Sequence, residues 1–184
     1  ASDWTFQVDY SHRENNKGYM YDARVRPSTR LNYMKKTDAK EEIPGKSRQA
    51  VENIYEYCRK NNAKLVLIST PSTAYWNYKR HNSVAELAES LGVEYVDMNL
   101  INDQVGIEWS TDTRDRGMHM NIYGARKCSA FLGAYLAKTE QFQDKRKDAS
   151  YADWFDALEA FNESTDNALD RPSPEPEDDT KKAN

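Results

Sequence analysis

The residues best suited to chemistry lie close together in segment 110–124, which reads STDTRDRGMHMNIYG. Asp115 precedes His119 by four residues in a glycine-containing loop, and Asn121 follows where a helix is predicted to begin. A carboxylate beside a histidine orients the imidazole and stabilises its charged form, as a general base requires. The spacing therefore indicates an acid–base site. The alternative interpretation is structural, with a solvated aspartate, a surface or capping histidine and an asparagine N-cap.

Other kinds of reactive site are less well supported by residue type. Asp112, Asp115 and His119 offer metal ligands, but one histidine without a nearby thiolate is a poor set, so no metal site is predicted. Cys58 and Cys128 fall on apolar faces of predicted helices, where free cysteine behaves as a small hydrophobic residue. We therefore expect neither a disulfide framework nor a thiol nucleophile.

Length and charge limit the class of protein. A chain of 184 residues can form one domain with a hydrophobic core. The net charge of −4 gives no reason to expect nucleic acid as a partner, since lysine and arginine are scattered among acidic residues. No apolar run approaches the roughly 18 residues of a membrane span.

Apolar periodicity predicts an α-β-α-β order around this segment. One apolar face predicts a helix over 47–61, carried by Val51, Ile54, Tyr55 and Cys58. A continuous apolar run predicts a buried parallel strand at 64–70, and Val93-Glu-Tyr-Val-Asp97 is predicted as a second strand. Between them, a capping box from Ser83 to Glu86 and a terminal Gly92 predict a helix over 83–91. Asp97 would then lie at the carboxyl edge of the sheet.

The remaining segments complete the predicted architecture. Residues 21–26 suggest a short edge strand, and a patterned helix is expected over 121–138. Ser150 is expected to cap a last helix with four inward-facing residues: Tyr151, Trp154, Phe155 and Leu158. We divide the chain into an extended arm (1–45), an α/β domain (46–162) and a disordered acidic, proline-containing tail (163–184).

Aromatic residues follow the first predicted strand, in loop 71–82. Loops after parallel strands are where α/β folds place ligand sites, so Tyr75 and Trp76 are candidate substrate-binding residues. The alternative is that these side chains only close over the end of the sheet. His81, in the same loop, is predicted to be a helix-start residue and not a catalytic one.

Three segments in order resemble the SGNH (GDSL-type) hydrolases, in particular the bacterial SGNH-like proteins of cell-surface polysaccharide acylation. The resemblance covers residues 15–160 and is carried by the segments MHMNIYGARK, LISTPS with the following Trp76 and His81-Asn82, and DKR with the following YADW. It implies a three-layer, parallel-sheet sandwich of the SGNH or flavodoxin-like kind, an extracytoplasmic or cell-surface location, and no metal or organic cofactor.

The resemblance also implies a set of roles. His119 would be the general base, Asp115 would orient it, and Tyr75, Trp76 and Asn121 would contact an acylated carbohydrate or other ester. The family nucleophile is a serine near the start of the domain, which would lie on a segment preceding Ala1. The chain would then be the C-terminal portion of the domain, lacking its N-terminal strands, with that missing portion as a possible partner.

Some features depart from the family pattern. The acid usually lies three residues before the histidine, whereas Asp115 lies four before it and Asp112 seven before it. Either aspartate is therefore a candidate partner. No serine lies on a tight glycine turn after a strand, which leaves Ser69 and Ser72 as internal substitutes. Two functions remain open: a serine esterase or O-acyltransferase, and a non-catalytic glycan-binding or scaffolding module.

Overall fold

The computed structural model describes Tyr19, residues 21–139 and residues 142–169. These residues form a mixed α/β structure with five α-helices and a small parallel sheet of two strands. In chain order the elements are α1 (Gly45–Lys60), β1 (Val66–Ser69), α2 (Tyr78–Leu91), β2 (Glu94–Asp97), α3 (Asn102–Val105), α4 (Ile122–Thr139), a 3₁₀ turn (Ala149–Tyr151) and α5 (Ala152–Leu169). The predicted α-β-α-β order is confirmed.

The two strands place their carboxyl ends side by side. Val66 pairs with Glu94 at one end of the register and Ser69 pairs with Asp97 at the other. β1 forms from an apolar run that ends at Ser69, and β2 is a short segment with Tyr95 and Val96 at its centre that ends at Asp97. The residues that follow, 70–77 after β1 and 98–101 after β2, therefore leave the same edge of the sheet. We call residues 70–77 the aromatic loop.

Helix α2 begins five residues earlier than predicted. Asn77 is its N-cap, and the Asn77 side chain accepts a hydrogen bond from the Arg80 backbone N–H at 2.9 Å. Ser83 therefore lies inside the helix, where its hydroxyl donates to the backbone carbonyls of Lys79 and Glu41. The predicted capping box at Ser83 is wrong, because Asn77 supplies the cap nearly two turns earlier. Gly92 ends the helix in the left-handed conformation, as predicted.

The core lies beyond the carboxyl end of β2. Met98, Val105 and Ile107 are buried together, and side chains from α4 such as Phe131 and Leu132 pack against them. By contrast, none of the residues of α1 is buried, and Ile54 and Tyr57 are exposed. The apolar face predicted for α1 exists, and the described part of the chain covers it only in part: Val51, Tyr55 and Cys58 are half-buried and Ile54 is exposed.

The chain divides into two compact units. One is Asp22–Gln141, and the other combines Ala1–Tyr21 with Phe142–Asn184. The boundaries differ from the predicted ones because residues 22–28 form no separate arm. They hydrogen-bond to the loop before α4, for example from Arg26 N–H to Thr113 O at 2.8 Å. They form no regular strand, so the edge strand predicted at 21–26 is wrong. Residues 1–18 of the predicted arm lie outside the described residues.

The second unit is built on α5. Tyr19 and Tyr21 pack edge-on against Phe161, and the Tyr21 hydroxyl donates to the Ser164 carbonyl. The four residues predicted to face inward are instead exposed: Tyr151, Trp154, Phe155 and Leu158. Since α5 continues to Leu169, the predicted disorder of 163–169 is also wrong. The rest of that tail, 170–184, lies outside the described residues.

Candidate functional site

Asp115 and His119 form a directly hydrogen-bonded pair in the loop between α3 and α4. His119 Nδ1 lies 2.6 Å from Asp115 Oδ2, and the His119 backbone N–H donates to Asp115 Oδ1 at 2.6 Å. The carboxylate thus holds both the backbone and the ring of the same histidine. A proton on Nδ1 satisfies this contact and leaves the Nε2 lone pair as the basic atom. We call residues 106–121 the Asp/His loop.

The pair is accessible to a ligand. The His119 side chain is 55 % exposed and that of Asp115 is 23 % exposed. Within the described part of the chain, His119 Nε2 makes no hydrogen bond. An exposed imidazole with one nitrogen fixed by a carboxylate has the geometry of a general base.

Asp115 stays ionised in this setting. Burial alone would raise the pKa of its carboxyl group, but the hydrogen bonds from the His119 ring and backbone, with the nearby positive charge of Arg114, outweigh burial. The net effect lowers the pKa of Asp115 below its usual value. A carboxylate that remains charged at neutral pH can stabilise the imidazolium that forms when His119 takes a proton.

Close packing at Gly117 fixes the backbone of the Asp/His loop. Gly117 has a φ of +92°, and a Cβ at this position would lie 2.7 Å from Ser28 Oγ and still closer to Thr73 Oγ1. Only glycine fits, on grounds of both conformation and space. An isolated antiparallel bridge between Thr113 and Met120 closes the loop on the other side.

Asp112, the other candidate acid, bonds to groups other than His119. Its buried carboxylate accepts hydrogen bonds from the Glu108 backbone N–H at 2.8 Å and from Lys127 Nζ at 2.7 Å. Burial disfavours charge on Lys127, but Asp112 outweighs burial and raises the pKa of Lys127. Asp112 therefore ties the Asp/His loop to α4, and Asp115 is the aspartate placed to act on His119.

Asn121 caps helix α4. The side chain is 1 % exposed, and its Oδ1 accepts hydrogen bonds from the backbone N–H groups of Tyr123 and Gly124. Its Nδ2 donates to the carbonyls of Arg24 and Thr111 at 3.0 and 2.7 Å. With donors and acceptor both engaged inside the protein, the structure places Asn121 as the N-cap and as a support of the loop, away from any surface that a substrate reaches.

The two aromatic candidates separate into different environments. Tyr75 is exposed and lies beside the Asp/His pair, with 6.1 Å between the centres of the Tyr75 and His119 rings. Its hydroxyl donates to the thioether sulfur of Met118, a weak acceptor. Trp76 is half-buried and its indole N–H donates to Asp97 at 2.9 Å. Tyr75 is therefore the aromatic residue available to a ligand at His119.

A second histidine–aspartate pair, His81 with Asp97, was not predicted. His81 Nδ1 lies 2.9 Å from Asp97 Oδ2, and the two side chains are only 19 % and 2 % exposed. The His81 ring stacks on Tyr95, and burial together with the Asp97 carboxylate raises the pKa of Tyr95 despite a hydrogen bond to Ser69. The sequence nevertheless provided a basis for expecting the His81–Asp97 contact. The start of a helix between parallel strands lies at the carboxyl edge of the sheet, which is also where Asp97 lies.

Neither internal serine candidate is placed as a nucleophile for His119. The Ser72 hydroxyl donates to the backbone carbonyls of Gly117 and Met118, at 2.9 and 3.1 Å. Ser69 shares a hydrogen bond with the Tyr95 hydroxyl at 2.9 Å. Both serines are buried. Among the described residues, no serine or threonine hydroxyl hydrogen-bonds to the His119 ring.

The cysteines do not supply a nucleophile either. Both are free thiols, as predicted. Burial and the Asp112 carboxylate raise the pKa of Cys128 to about 11, so it is a thiol and not a thiolate at neutral pH. Over residues 21–139 and 142–169 no group of three or more ligating side chains is arranged to hold a metal ion.

None of the helices described is both long and apolar enough to cross a membrane. Comparison of the chain with protein-family models, with curated proteins and with solved structures found no match. The geometry of the site and the motifs of the sequence are therefore the basis for any functional proposal.

Proposed function

We propose that this chain is the histidine-bearing part of an SGNH-like serine esterase or O-acyltransferase that acts on acyl esters of a cell-surface glycan. One observation carries the proposal: Asp115 holds His119 Nδ1 at 2.6 Å while more than half of the His119 side chain is exposed. The segment MHMNIYGARK, which resembles the family's C-terminal signature, contains this histidine. The extracytoplasmic location is part of the proposal and depends on the resemblance alone.

His119 has two tasks in the proposed reaction. Its Nε2 removes the proton from a serine hydroxyl as the serine oxygen attacks the ester carbonyl, and Asp115 stabilises the resulting imidazolium. The tetrahedral intermediate collapses to an acyl-serine when Nε2 returns that proton to the departing sugar oxygen. Nε2 then activates water, which gives hydrolysis, or another sugar hydroxyl, which gives acyl transfer.

The nucleophilic serine lies outside the described residues in this proposal, on a segment preceding Ala1. Support comes from Ser69 and Ser72, whose hydroxyls are buried and bonded elsewhere. The same proposal extends the two-stranded sheet into a three-layer sandwich. Ile68, in the middle of β1, and Ile54, on the apolar face of α1, are exposed, and both are side chains that further strands and their connections would cover.

Tyr75 is the proposed contact for the acyl group or the sugar. Its ring is exposed beside His119, and Met118 provides a second apolar surface next to it. Aromatic side chains bind sugars through their faces while their hydroxyls find polar partners. Trp76 supports the aromatic loop and is not a proposed ligand contact, since its indole N–H is bonded to Asp97.

The second candidate function is a non-catalytic glycan-binding or scaffolding module. It is favoured by the observation that, among the described residues, no serine hydroxyl bonds to the His119 ring. In that case Tyr75 binds the glycan and the Asp115–His119 pair is a structural hydrogen bond.

The test uses the full-length gene product with a serine-reactive fluorophosphonate probe, followed by mass spectrometry of the adduct. We expect one serine outside the described residues to be labelled, and labelling to fall at least about a hundredfold in His119→Ala because the base that activates the serine is lost. Equal labelling of wild type and His119→Ala would contradict the proposal. No labelling, with acetylated-glycan binding that survives His119→Ala but not Tyr75→Ala, would favour the binding module.

A further inference from the structure

The buried carboxylate of Asp97 collects hydrogen bonds from several parts of the first unit. Oδ2 accepts from Trp76 Nε1 at 2.9 Å and from the Tyr95 hydroxyl at 3.1 Å, and it also contacts His81. Oδ1 accepts from the backbone and side-chain N–H groups of Asn99, at 2.9 and 2.8 Å. A carboxylate with this many donors is fixed in position, since any movement breaks several bonds at once.

Asn99 extends this fixed point to the aromatic loop. Its amide nitrogen donates to Asp97 and to the Thr70 carbonyl at 3.1 Å, which settles the orientation of the amide. The Asn99 oxygen then accepts from the Ser72 backbone N–H at 2.9 Å and from the Tyr33 hydroxyl at 3.1 Å. The side chain is buried and both of its ends are bonded, so the position of Ser72 follows from that of Asp97.

Ser72 carries the connection into the Asp/His loop. Its hydroxyl donates to the carbonyls of Gly117 and Met118, and the Ala74 backbone N–H donates to the Gly117 carbonyl at 3.2 Å. Met118 is the residue before His119. A continuous set of hydrogen bonds therefore runs from the end of β2 to the backbone next to His119, through the side chains of Asp97 and Asn99 and then through the backbone N–H and hydroxyl of Ser72. All three residues are buried.

An exposed pair needs such support. A solvent-exposed histidine–carboxylate contact stabilises one geometry only weakly, because water competes for both groups. His119 is more than half exposed. The ring can be held in one orientation only if the backbone that carries it is held by something buried.

We propose that Asp97, Asn99 and Ser72 form a hydrogen-bond chain that positions His119 for its reaction. Asn99 and Ser72 are positioning residues: they touch neither the substrate nor the imidazole, and they act through the backbone at Gly117 and Met118. The catalytic consequence rests on the proposed esterase or acyltransferase function. The structural consequence, a fixed orientation of the His119 ring, does not.

Two buried serines provide a matched test in the full-length protein. Ser72→Ala removes the hydroxyl that bonds to the Asp/His loop. Ser69→Ala removes a hydroxyl of equal burial, three residues earlier, that bonds to Tyr95 instead. The readouts are the hydrogen-bonded Nδ1–H proton of His119 by NMR, the kcat and KM for p-nitrophenyl acetate, and the unfolding midpoint in urea.

We expect Ser72→Ala to raise the solvent exchange rate of the His119 Nδ1–H proton about tenfold and to lower kcat by roughly 10- to 100-fold with little change in KM. Ser69→Ala should change neither quantity. If Ser72→Ala does not fold, Asn99→Ala replaces it, because it interrupts the hydrogen-bond chain one step earlier. We expect the same changes in proton exchange and in kcat for Asn99→Ala. Ser72→Thr keeps the hydroxyl and should restore the Nδ1–H signal.

The NMR signal separates this inference from the functional proposal. Wild-type protein that hydrolyses no ester, with a His119 signal lost in Ser72→Ala and kept in Ser69→Ala, would contradict the function and support the hydrogen-bond chain. The inference is overturned if the two serine variants leave the His119 signal equally intact, or if both weaken it in proportion to their loss of stability.

Discussion

Two histidine–aspartate pairs lie at the same end of the first unit and have opposite characters. His81–Asp97 is buried, and its carboxylate also accepts from Trp76 and Tyr95. His119–Asp115 is exposed, and its carboxylate serves chiefly one histidine. The distances from nitrogen to oxygen are similar, at 2.9 and 2.6 Å. The residue types alone therefore do not distinguish a structural pair from a candidate catalytic pair. Burial and the number of competing donors distinguish them.

The largest expected effect on stability is at the buried pair. Asp97→Ala leaves several buried donors without an acceptor, so the free energy of unfolding should fall by about 3–5 kcal/mol. Asp115→Ala, the matched change in the exposed pair, should cost about 1 kcal/mol or less. Denaturation in urea measures both. Equal losses for the two variants would show that the pairs do not differ as described.

The backbone of the exposed pair is expected to be less tolerant than its side chains. Gly117→Ala combines a positive φ with a Cβ placed against Ser28 and Thr73, so it should destabilise the protein by roughly 3 kcal/mol and disturb the His119 ring. Gly106→Ala is the control. Gly106 has a φ of +77° but open space around the missing Cβ, and only the conformational cost of about 1 kcal/mol should appear. Similar losses at both positions would show that the packing at Gly117 is not restrictive.

The smallest expected effect is the pH dependence of the exposed pair. The folded-state pKa of Asp115 is lowered from 3.8, so the unfolded chain binds a proton more readily. The contribution of Asp115 to stability is thus fully present above the unfolded pKa and is lost as pH falls through the folded pKa. The difference in unfolding free energy between wild type and Asp115→Asn should therefore shrink as pH falls below about 4. A difference that grows as pH falls below about 4 would contradict the assigned direction.

The sequence predicts the exposed pair better than the buried one for a geometric reason. Asp115 and His119 are four residues apart in one loop, so local spacing suffices to bring them together. His81 and Asp97 belong to different elements, and their contact depends on how α2 and β2 meet at the sheet edge. That contact requires the tertiary structure, although the order of strand, helix and strand already indicates a shared edge.

The strands were also predictable, because an apolar run ended by Pro71 marks β1 and a short β-rich segment after Gly92 marks β2, although both strands are shorter than predicted. Burial of helix faces was not. Periodicity predicts that α1 and α5 each have an apolar face, but it does not say what covers that face, and face residues such as Ile54 and Trp154 are exposed. The start of α2 was missed because Asn77 caps the helix before Ser83 can.

The measurement that tests the central claim most directly compares His119→Ala with His81→Ala in the full-length protein, with ester hydrolysis and unfolding free energy determined on the same samples. We predict that His119→Ala loses hydrolysis by at least about a hundredfold while its stability changes by about 1 kcal/mol or less. His81→Ala should lose at least about 2 kcal/mol of stability, because it removes a partner of a buried carboxylate. Wild-type rates of hydrolysis by folded His119→Ala would contradict the proposed catalytic role of the exposed pair.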